Sequence, residues 1–176
     1  RRQIHFLNSN PELAPQLEPQ GQFDSCWLPR IAFHTGSILG HDLAWGSDGL
    51  WAVNTLFSCL CTLSSDHNFV PIWRPPFVSQ LIDQDRCHLN GLAMESGRPR
   101  YVTVLSETDT PAGWREHKTD GGAVIDVCTN QIISRGLCMP HSPRLHQGQL
   151  WVLNSGCGEL GRIDRKDGSY QSIAEL

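Results

Sequence analysis

Short runs of alternating apolar and polar residues follow one another along the chain, and turn residues separate them. The clearest set lies in the first half of the chain, with runs at 42–45, 50–57, 59–63 and 69–73. Segments rich in glycine, serine and asparagine separate these runs, and the pair Pro75-Pro76 follows the last one. The pattern predicts β-strands, and no segment keeps the 3.6-residue period of a helix.

The same pattern occurs three times along the chain. A shift by 100 residues places His41 on His141, and a middle copy has Asn90 in the same place, so the repeat is about 50 residues long. An aromatic position recurs with the same period and is expected to pack between the repeats: Trp51, Tyr101 and Trp151. The later copies predict strands at 101–105, 123–128, 131–135, 150–154, 160–164 and 170–174.

Four short strands in about 50 residues are typical of one blade of a β-propeller. We therefore predict an all-β, β-propeller-like fold with three to four four-stranded blades. Closed propellers have about four to eight blades. The prediction is accordingly an open arc, a fragment of a larger propeller, and the alternative is an ordinary β-sandwich with accidental internal similarity.

The predicted organisation has an N-terminal region followed by three blades. Residues 1–40 comprise a linker and the outer strands of an incomplete preceding blade, which we expect at 23–28 and 31–33. The three blades follow at 41–86, 87–137 and 138–176. The second blade carries a polar insertion, 106–120, and loops of this length often form lids or binding sites. Trp114 either takes part in such a site or packs over a blade edge.

Polar residues at equivalent positions of the inner strands form the candidate site. The first strand of each propeller blade lines the central channel, so His41, Asn90 and His141 are expected to meet there, with His88 close by. Imidazole nitrogens and an amide oxygen suit a divalent metal or a polar ligand, and a histidine can act as a general base near neutral pH. The alternative is that each imidazole only bonds a neighbouring backbone carbonyl.

The candidate roles are assigned separately. His41 and His141 are the catalytic candidates, and together with Asn90 they are the candidate metal ligands. The ligand-binding set adds residues of the insertion at the channel rim, and its members are His41, His88, Asn90, His141, Trp114, Arg115 and Glu116. Three nearby carboxylates have other expected positions. We expect Asp42 to face away from the channel, Asp85 to form a turn and Glu107 to lie in solvent.

Composition and charge narrow the function. The chain has 14 Lys and Arg against 18 Asp and Glu, a formal charge of −4, which gives no electrostatic reason to expect nucleic-acid binding. No apolar run approaches the roughly 20 residues of a membrane span, so no membrane association is expected. The seven cysteines are irregularly spaced and contain no Cys-x-x-Cys pair. We expect reduced, mostly buried thiols in a cytoplasmic protein, without a structural zinc site.

Five longer motifs occur in order along the chain: Trp73-Arg-Pro-Pro-Phe77, Asp85-Arg-Cys-His-Leu-Asn-Gly-Leu-Ala93, Gly113-Trp-Arg-Glu116, Met139-Pro-His-Ser-Pro-Arg144 and Leu150-Trp-Val-Leu-Asn-Ser-Gly156. They resemble a bacterial family of conserved hypothetical proteins, known from cyanobacteria and proteobacteria among others. The resemblance runs from about residue 22 to 167. It implies a propeller with further blades and names no reaction.

The segment Asn90-Gly-Leu-Ala93 is also similar to part of the gluconolactonase and regucalcin propellers. In that family an asparagine helps to bind a divalent cation, which is used to open lactones. The resemblance implies a metal site at Asn90. His41 and His141 depart from that family, which favours a softer metal than calcium, or none.

The expected function is the binding of a small polar ligand or a divalent metal in the channel. Whether the protein is an enzyme stays open. One alternative is a metal-assisted hydrolase or lactonase, in which the metal polarises a carbonyl. Another is a protein-interaction scaffold. Open blade edges are also expected to pair with a protein partner or with a second copy of the chain.

Overall fold

The computed structural model describes residues 2–176, and in this part of the chain the secondary structure is almost entirely β. Short 3₁₀ helices lie at Ala14–Gln16, Gly113–His117 and Ser155–Cys157. The strands are β1 Gln3–Ser9, β2 Trp27–His34, β3 Leu43–Gly46, β4 Gly49–Asn54, β5 Cys59–Thr62, β6 Val70–Trp73, β7 Leu89–Glu95, β8 Arg98–Val104, β9 Gly122–Asp126, β10 Gln131–Leu137, β11 Pro140–His146, β12 Gln149–Asn154, β13 Glu159–Ile163 and β14 Tyr170–Glu175. None of the described helices is long and apolar enough to cross a membrane.

Three four-stranded antiparallel sheets contain most of the strands, and each sheet follows the order of the chain. We call them blade 1 (β3–β6), blade 2 (β7–β10) and blade 3 (β11–β14). The innermost strands β3, β7 and β11 lie side by side, with β7 in the middle. This is a β-propeller-like fold, as predicted, and the sheets formed by residues 2–176 do not close into a ring.

A separate two-stranded sheet, formed by β1 and β2, precedes the blades. The sequence predicted two short strands at 23–28 and 31–33, but the structure has one continuous strand there, β2. Its partner β1 was not predicted. The Phe6 ring packs edge-on against Phe33 and Trp45, with ring centroids 5.5 and 5.7 Å apart, so this sheet rests on blade 1.

Two apolar clusters lie between adjacent blades, and a smaller third cluster packs blade 1 with Ile4 of the N-terminal sheet. One cluster joins blades 1 and 2 around Trp51, and a second joins blades 2 and 3 around Tyr101. Both side chains are buried, as expected for the repeated aromatic position. Trp151, at the same position of blade 3, is only partly buried because no further described blade covers it.

An ion pair connects the inner strands of all three blades. Arg144 on β11 donates to both carboxylate oxygens of Asp42, at 2.9 and 3.2 Å, and to the carbonyl oxygen of Leu92 on β7, at 3.0 Å. The Leu92 amide in turn donates to Asp42, at 3.1 Å. Strands β7 and β11 approach so closely here that a Cβ on Gly91 would lie 2.3 Å from Pro143.

Candidate functional site

Three histidines meet at one end of the inner strands. His41 lies two residues before β3, His88 directly before β7, and His141 is the second residue of β11. The His41 and His88 rings pack edge-on, with centroids 4.7 Å apart. Burial lowers the pKa of His141 below its ordinary value, and the nearby His88 and His41 lower it further, against a hydrogen bond that raises it. The structure therefore brings together the three histidines that the sequence placed in one channel.

A residue with left-handed backbone conformation precedes each of the three inner strands. Leu39, His88 and Met139 occupy equivalent places in the three repeats and have φ angles of 46°, 51° and 49°. The Leu39 and Met139 carbonyls each accept a hydrogen bond from the Nδ1–H of the histidine two residues later, His41 or His141, at 2.8 Å. Non-glycine residues in this conformation are strained, and such residues cluster at functional sites.

A hydroxyl group confirms the tautomer of His41. The Thr55 hydroxyl donates its only proton to the Leu89 carbonyl oxygen, at 2.5 Å. Its oxygen also lies 2.8 Å from Nδ1 of His41 and is left to accept there. Both partners of this nitrogen are therefore acceptors, so Nδ1 carries a proton, and in the neutral ring the lone pair is on Nε2.

His88 is fixed by a carboxylate rather than by a carbonyl. Nδ1 of His88 lies 2.9 Å from Asp85, and the Trp114 indole N–H donates to the same carboxylate oxygen, at 3.1 Å. The Trp114 and His88 rings are in contact, with centroids 4.3 Å apart. Trp114 is 9% exposed, so the insertion packs this ring onto the site. Asp85 has a left-handed backbone conformation, which is consistent with the expected turn. Its contact with His88 was not expected from the sequence.

Asn90 does not join the three imidazoles. Its side chain is 3% exposed, its Oδ1 accepts from the Thr103 hydroxyl at 2.6 Å, and its Nδ2 donates to the Pro140 carbonyl at 3.1 Å. These bonds tie β7 to β8 and to β11. Both polar atoms of the Asn90 amide are therefore hydrogen-bonded within the protein.

The start of the insertion is held by a buried arginine that lies shortly before β7. Arg86, which is 9% exposed, donates to Asp109 at 2.6 Å, and the Thr108 hydroxyl donates to the Arg86 carbonyl oxygen. Arg115 and Glu116 are exposed, and the Arg115 guanidinium lies over the Trp114 ring. Sequence reasoning missed Arg86 and Asp109. The one signal available was that these two oppositely charged residues lie close in sequence to His88 and Trp114.

A metal ion has no prepared site in the described chain. Among residues 2–176, no group of three or more His, Cys, Asp or Glu side chains is arranged to hold one. The three imidazoles nevertheless share a feature that suits a ligand. Every Nδ1 is bonded to an acceptor, and Nε2 of these three residues makes no hydrogen bond within residues 2–176.

Two cavities differ in their relation to this site. His41 and Asp42 line a cavity of about 440 Å³ between blade 1 and the N-terminal sheet. A larger cavity of about 730 Å³ opens at the opposite end of blades 2 and 3. There Arg100 is paired with Asp126 at 2.6 Å and Arg165 with Glu95 at 2.7 Å, so much of its positive charge is neutralised. None of the predicted site residues lines the larger cavity.

The fold and the site define a β-propeller-like protein with a histidine cluster at one end of its inner strands. The chain belongs to the family described as Domain of unknown function (DUF4915), which matches residues 1–176. No curated protein matches the chain.

Two solved structures are similar to this chain in part. Selenomethionine-substituted virginiamycin B lyase from Staphylococcus aureus is 10% identical, with a TM-score of 0.48, over 87% of this chain and 46% of that one. A streptogramin B lyase structure is 15% identical, with a TM-score of 0.48, over 87% of this chain and 45% of that one. The chain thus spans less than half the length of either structure.

Proposed function

We propose that this protein binds a small polar ligand at the channel mouth through the Nε2 atoms of His41, His88 and His141. The observation that carries the proposal is their common tautomer, since each Nδ1 is bonded to a carbonyl or carboxylate oxygen. In the neutral rings the three Nε2 lone pairs are then free to accept hydrogen bonds from a ligand. The matching ligand class is a small compound with several hydroxyl or amide hydrogens.

The surroundings of the imidazoles support a binding role. The cavity beside His41 has a volume of about 440 Å³, within the usual size range of small-molecule sites. Its lining combines apolar side chains such as Ile4 and Ile38 with the polar groups of Gln3 and Thr35. Trp114 and Asp85 hold His88 in one orientation, so this acceptor is fixed before a ligand arrives.

A divalent transition metal is the second candidate ligand. Histidines that bind metals through one ring nitrogen usually donate the other N–H to a carbonyl or carboxylate, and all three imidazoles here do so. The metal ranks second because the side chains are not arranged around a common point. Metal-assisted hydrolysis of a lactone has less support still, because Asn90, the residue that suggested it, is hydrogen-bonded within the protein.

Saturation-transfer NMR with a defined mixture of glycerol, sorbitol, glucose and N-acetylglucosamine tests the proposal. We expect transfer to at least one of these compounds in the wild type and its loss in the His41→Ala/His141→Ala double variant. The matched control is His67→Ala/His146→Ala, which removes two exposed histidines elsewhere and leaves the signal unchanged. No signal in the wild type, or an equal signal in both double variants, contradicts the proposal.

The same samples decide between the two ligand classes. Protein purified without chelator or affinity metal is analysed for bound metal by mass spectrometry. Stoichiometric metal in the wild type and none in the His41→Ala/His141→Ala variant overturns the polar ligand in favour of the metal. Absence of metal from both, together with saturation transfer in the wild type, supports the polar ligand.

Binding is expected to depend on pH through His141. Its pKa in the folded protein lies below the ordinary value of 6.5, because burial disfavours the charged ring. The Nε2 lone pair of His141 is therefore present above pH 6.5 and is lost only as the pH falls through the lowered pKa. We expect the saturation-transfer signal to decrease as the pH is lowered below 6.5. The ring NMR signal of His141 should shift over the same pH range.

A further inference from the structure

Three of the seven cysteines lie in the core, and two of the other four form a pair. Cys59, Cys61 and Cys87 are completely buried in the core, and burial raises the pKa of Cys61 and of Cys87 to about 12. Such thiols are unreactive at neutral pH. Cys138 and Cys157 lie at the surface of blade 3, with Cys138 partly buried and Cys157 exposed.

The backbone holds these two cysteines next to each other. Cys138 directly follows β10, and Cys157 is the last residue of the 3₁₀ helix Ser155–Cys157. The Gly156 amide donates to the Cys138 carbonyl oxygen at 2.9 Å, and the Cys138 amide donates to Oδ1 of Asn154 at 2.7 Å. Two hydrogen bonds therefore fix the segment around Cys157 against Cys138.

The absence of a side chain at Gly156 makes room for the Cys138 sulfur. A Cβ on Gly156 would lie 2.2 Å from Sγ of Cys138, inside the space that this sulfur occupies. Burial raises the pKa of the Cys138 thiol, and the neighbouring Cys157 thiol raises it further. The two sulfurs are thus within reach of each other while both thiols are reduced.

We propose that Cys138 and Cys157 form a disulfide when the protein meets a peroxide. The exposed Cys157 sulfur attacks one oxygen of hydrogen peroxide, which yields a sulfenic acid and releases water. The Cys138 sulfur then attacks the Cys157 sulfur, the S–O bond breaks, and the hydroxyl leaves with the Cys138 proton as a second water. Two thiols are oxidised by two electrons in all, and one peroxide is reduced.

The disulfide would change the contact between blade 3 and the insertion. In the reduced protein the Cys138 thiol donates to the Lys118 carbonyl oxygen, at 3.5 Å. Lys118 directly follows the 3₁₀ helix Gly113–His117, which carries Trp114. A disulfide sulfur has no proton to donate, so oxidation removes this bond from the insertion. The inference does not depend on which ligand the histidines bind.

Peptide mapping after peroxide treatment tests the proposal. The full chain is treated under native conditions with hydrogen peroxide, free thiols are blocked with N-ethylmaleimide, and the protein is cut with trypsin without reduction. We expect peptides 136–144 and 145–162 joined in the wild type, at the summed mass less two hydrogens. The joined pair is absent from Cys138→Ser and Cys157→Ser and is unchanged in Cys128→Ser, which removes an exposed cysteine of blade 2.

Three results would overturn the proposal. They are oxidation of Cys128 without any change at Cys157, sulfinic acid at Cys157 without the joined peptides, and joined peptides that appear only in dimers. A second readout follows the insertion by amide hydrogen exchange at 113–118. Exchange there is expected to rise in the oxidised wild type and to stay at the reduced level in peroxide-treated Cys157→Ser. Joined peptides without this rise would contradict the link to the insertion.

Discussion

His41, Asn90 and His141 occupy equivalent repeat positions, yet the Asn90 side chain has a different role from the two imidazoles. Sequence reasoning found the position, because a period of about 50 residues aligns it with His41 and His141. It did not find the partners of the amide, Thr103 and Pro140, because these lie on β8 and β11 and meet Asn90 only in the folded chain. Asp85 was assigned to a turn for the same reason, since its bond with Trp114 spans 29 residues.

Substitution of Asn90 separates its structural role from ligand binding. Asn90→Ala leaves the buried Thr103 hydroxyl and Pro140 carbonyl without their partner, so we expect the free energy of unfolding to fall by about 2 kcal/mol. Denaturant unfolding measures this loss, and Asn8→Ala, at an exposed position of β1, serves as the control. The saturation-transfer signal should survive in folded Asn90→Ala. A stable variant that loses the signal would return Asn90 to the binding site.

At the scale of elements, the insertion 106–120 is the part of the chain that most alters the repeat. Its start is fastened by Asp109, which accepts from Arg86 and from the Ser79 amide, and its middle by Trp114 on Asp85. Hydrogen bonds from Ser79 and then Arg86 hold the pKa of Asp109 below its ordinary value of 3.8, although desolvation opposes them. The ionised carboxylate therefore anchors the insertion.

This anchor predicts a loss of stability in acid. The pKa of Asp109 is lowered in the folded protein. Its contribution to the free energy of unfolding is therefore present above pH 3.8 and is lost as the pH falls through the folded pKa. Asp109→Asn should show a smaller fall in the free energy of unfolding between about pH 5 and pH 3 than the wild type. The exposed Asp66→Asn variant is the control and should follow the wild type. Identical curves for Asp109→Asn and the wild type would refute the anchor.

Strands inside the repeats were predicted more closely than those outside them, where the predicted runs 23–28 and 31–33 overlap β2 and β1 was missed. The runs 59–63 and 69–73 lie within one residue of β5 and β6, because apolar patterning and turn residues together define such strands. β1 had no repeat to mark it. Its antiparallel pairing with β2 and the packing of Phe6 on Phe33 are contacts between distant parts of the chain, and a single sequence does not contain them.

Across the whole molecule, the three blades form an arc whose apolar surface is uneven. Trp45 is 67% exposed, Trp27 57% and Ile31 53%, and all three lie on blade 1 or on the N-terminal sheet. The Asp42–Arg144 pair fixes the inner strands of the arc without covering this side. Large apolar side chains that are this exposed promote association.

The 176-residue chain is therefore expected to self-associate. Sedimentation velocity should show an average mass that rises with protein concentration in the wild type. Trp45→Ser should weaken this association, because it removes the most exposed of these rings, whereas Leu81→Ser, an exposed position between blades 1 and 2, should not. A monomer at every concentration would contradict this prediction.

The three repeats do not build the histidine cluster in the same way, as the left-handed residues Leu39, His88 and Met139 show. Copies that stayed identical would place an imidazole at the same position every time. In this chain the middle copy carries its histidine two residues earlier, at the position whose carbonyl fixes the ring in the other two copies. The cluster thus depends on divergence between copies. A consensus protein built from any single repeat would keep the blades and lose this arrangement of rings.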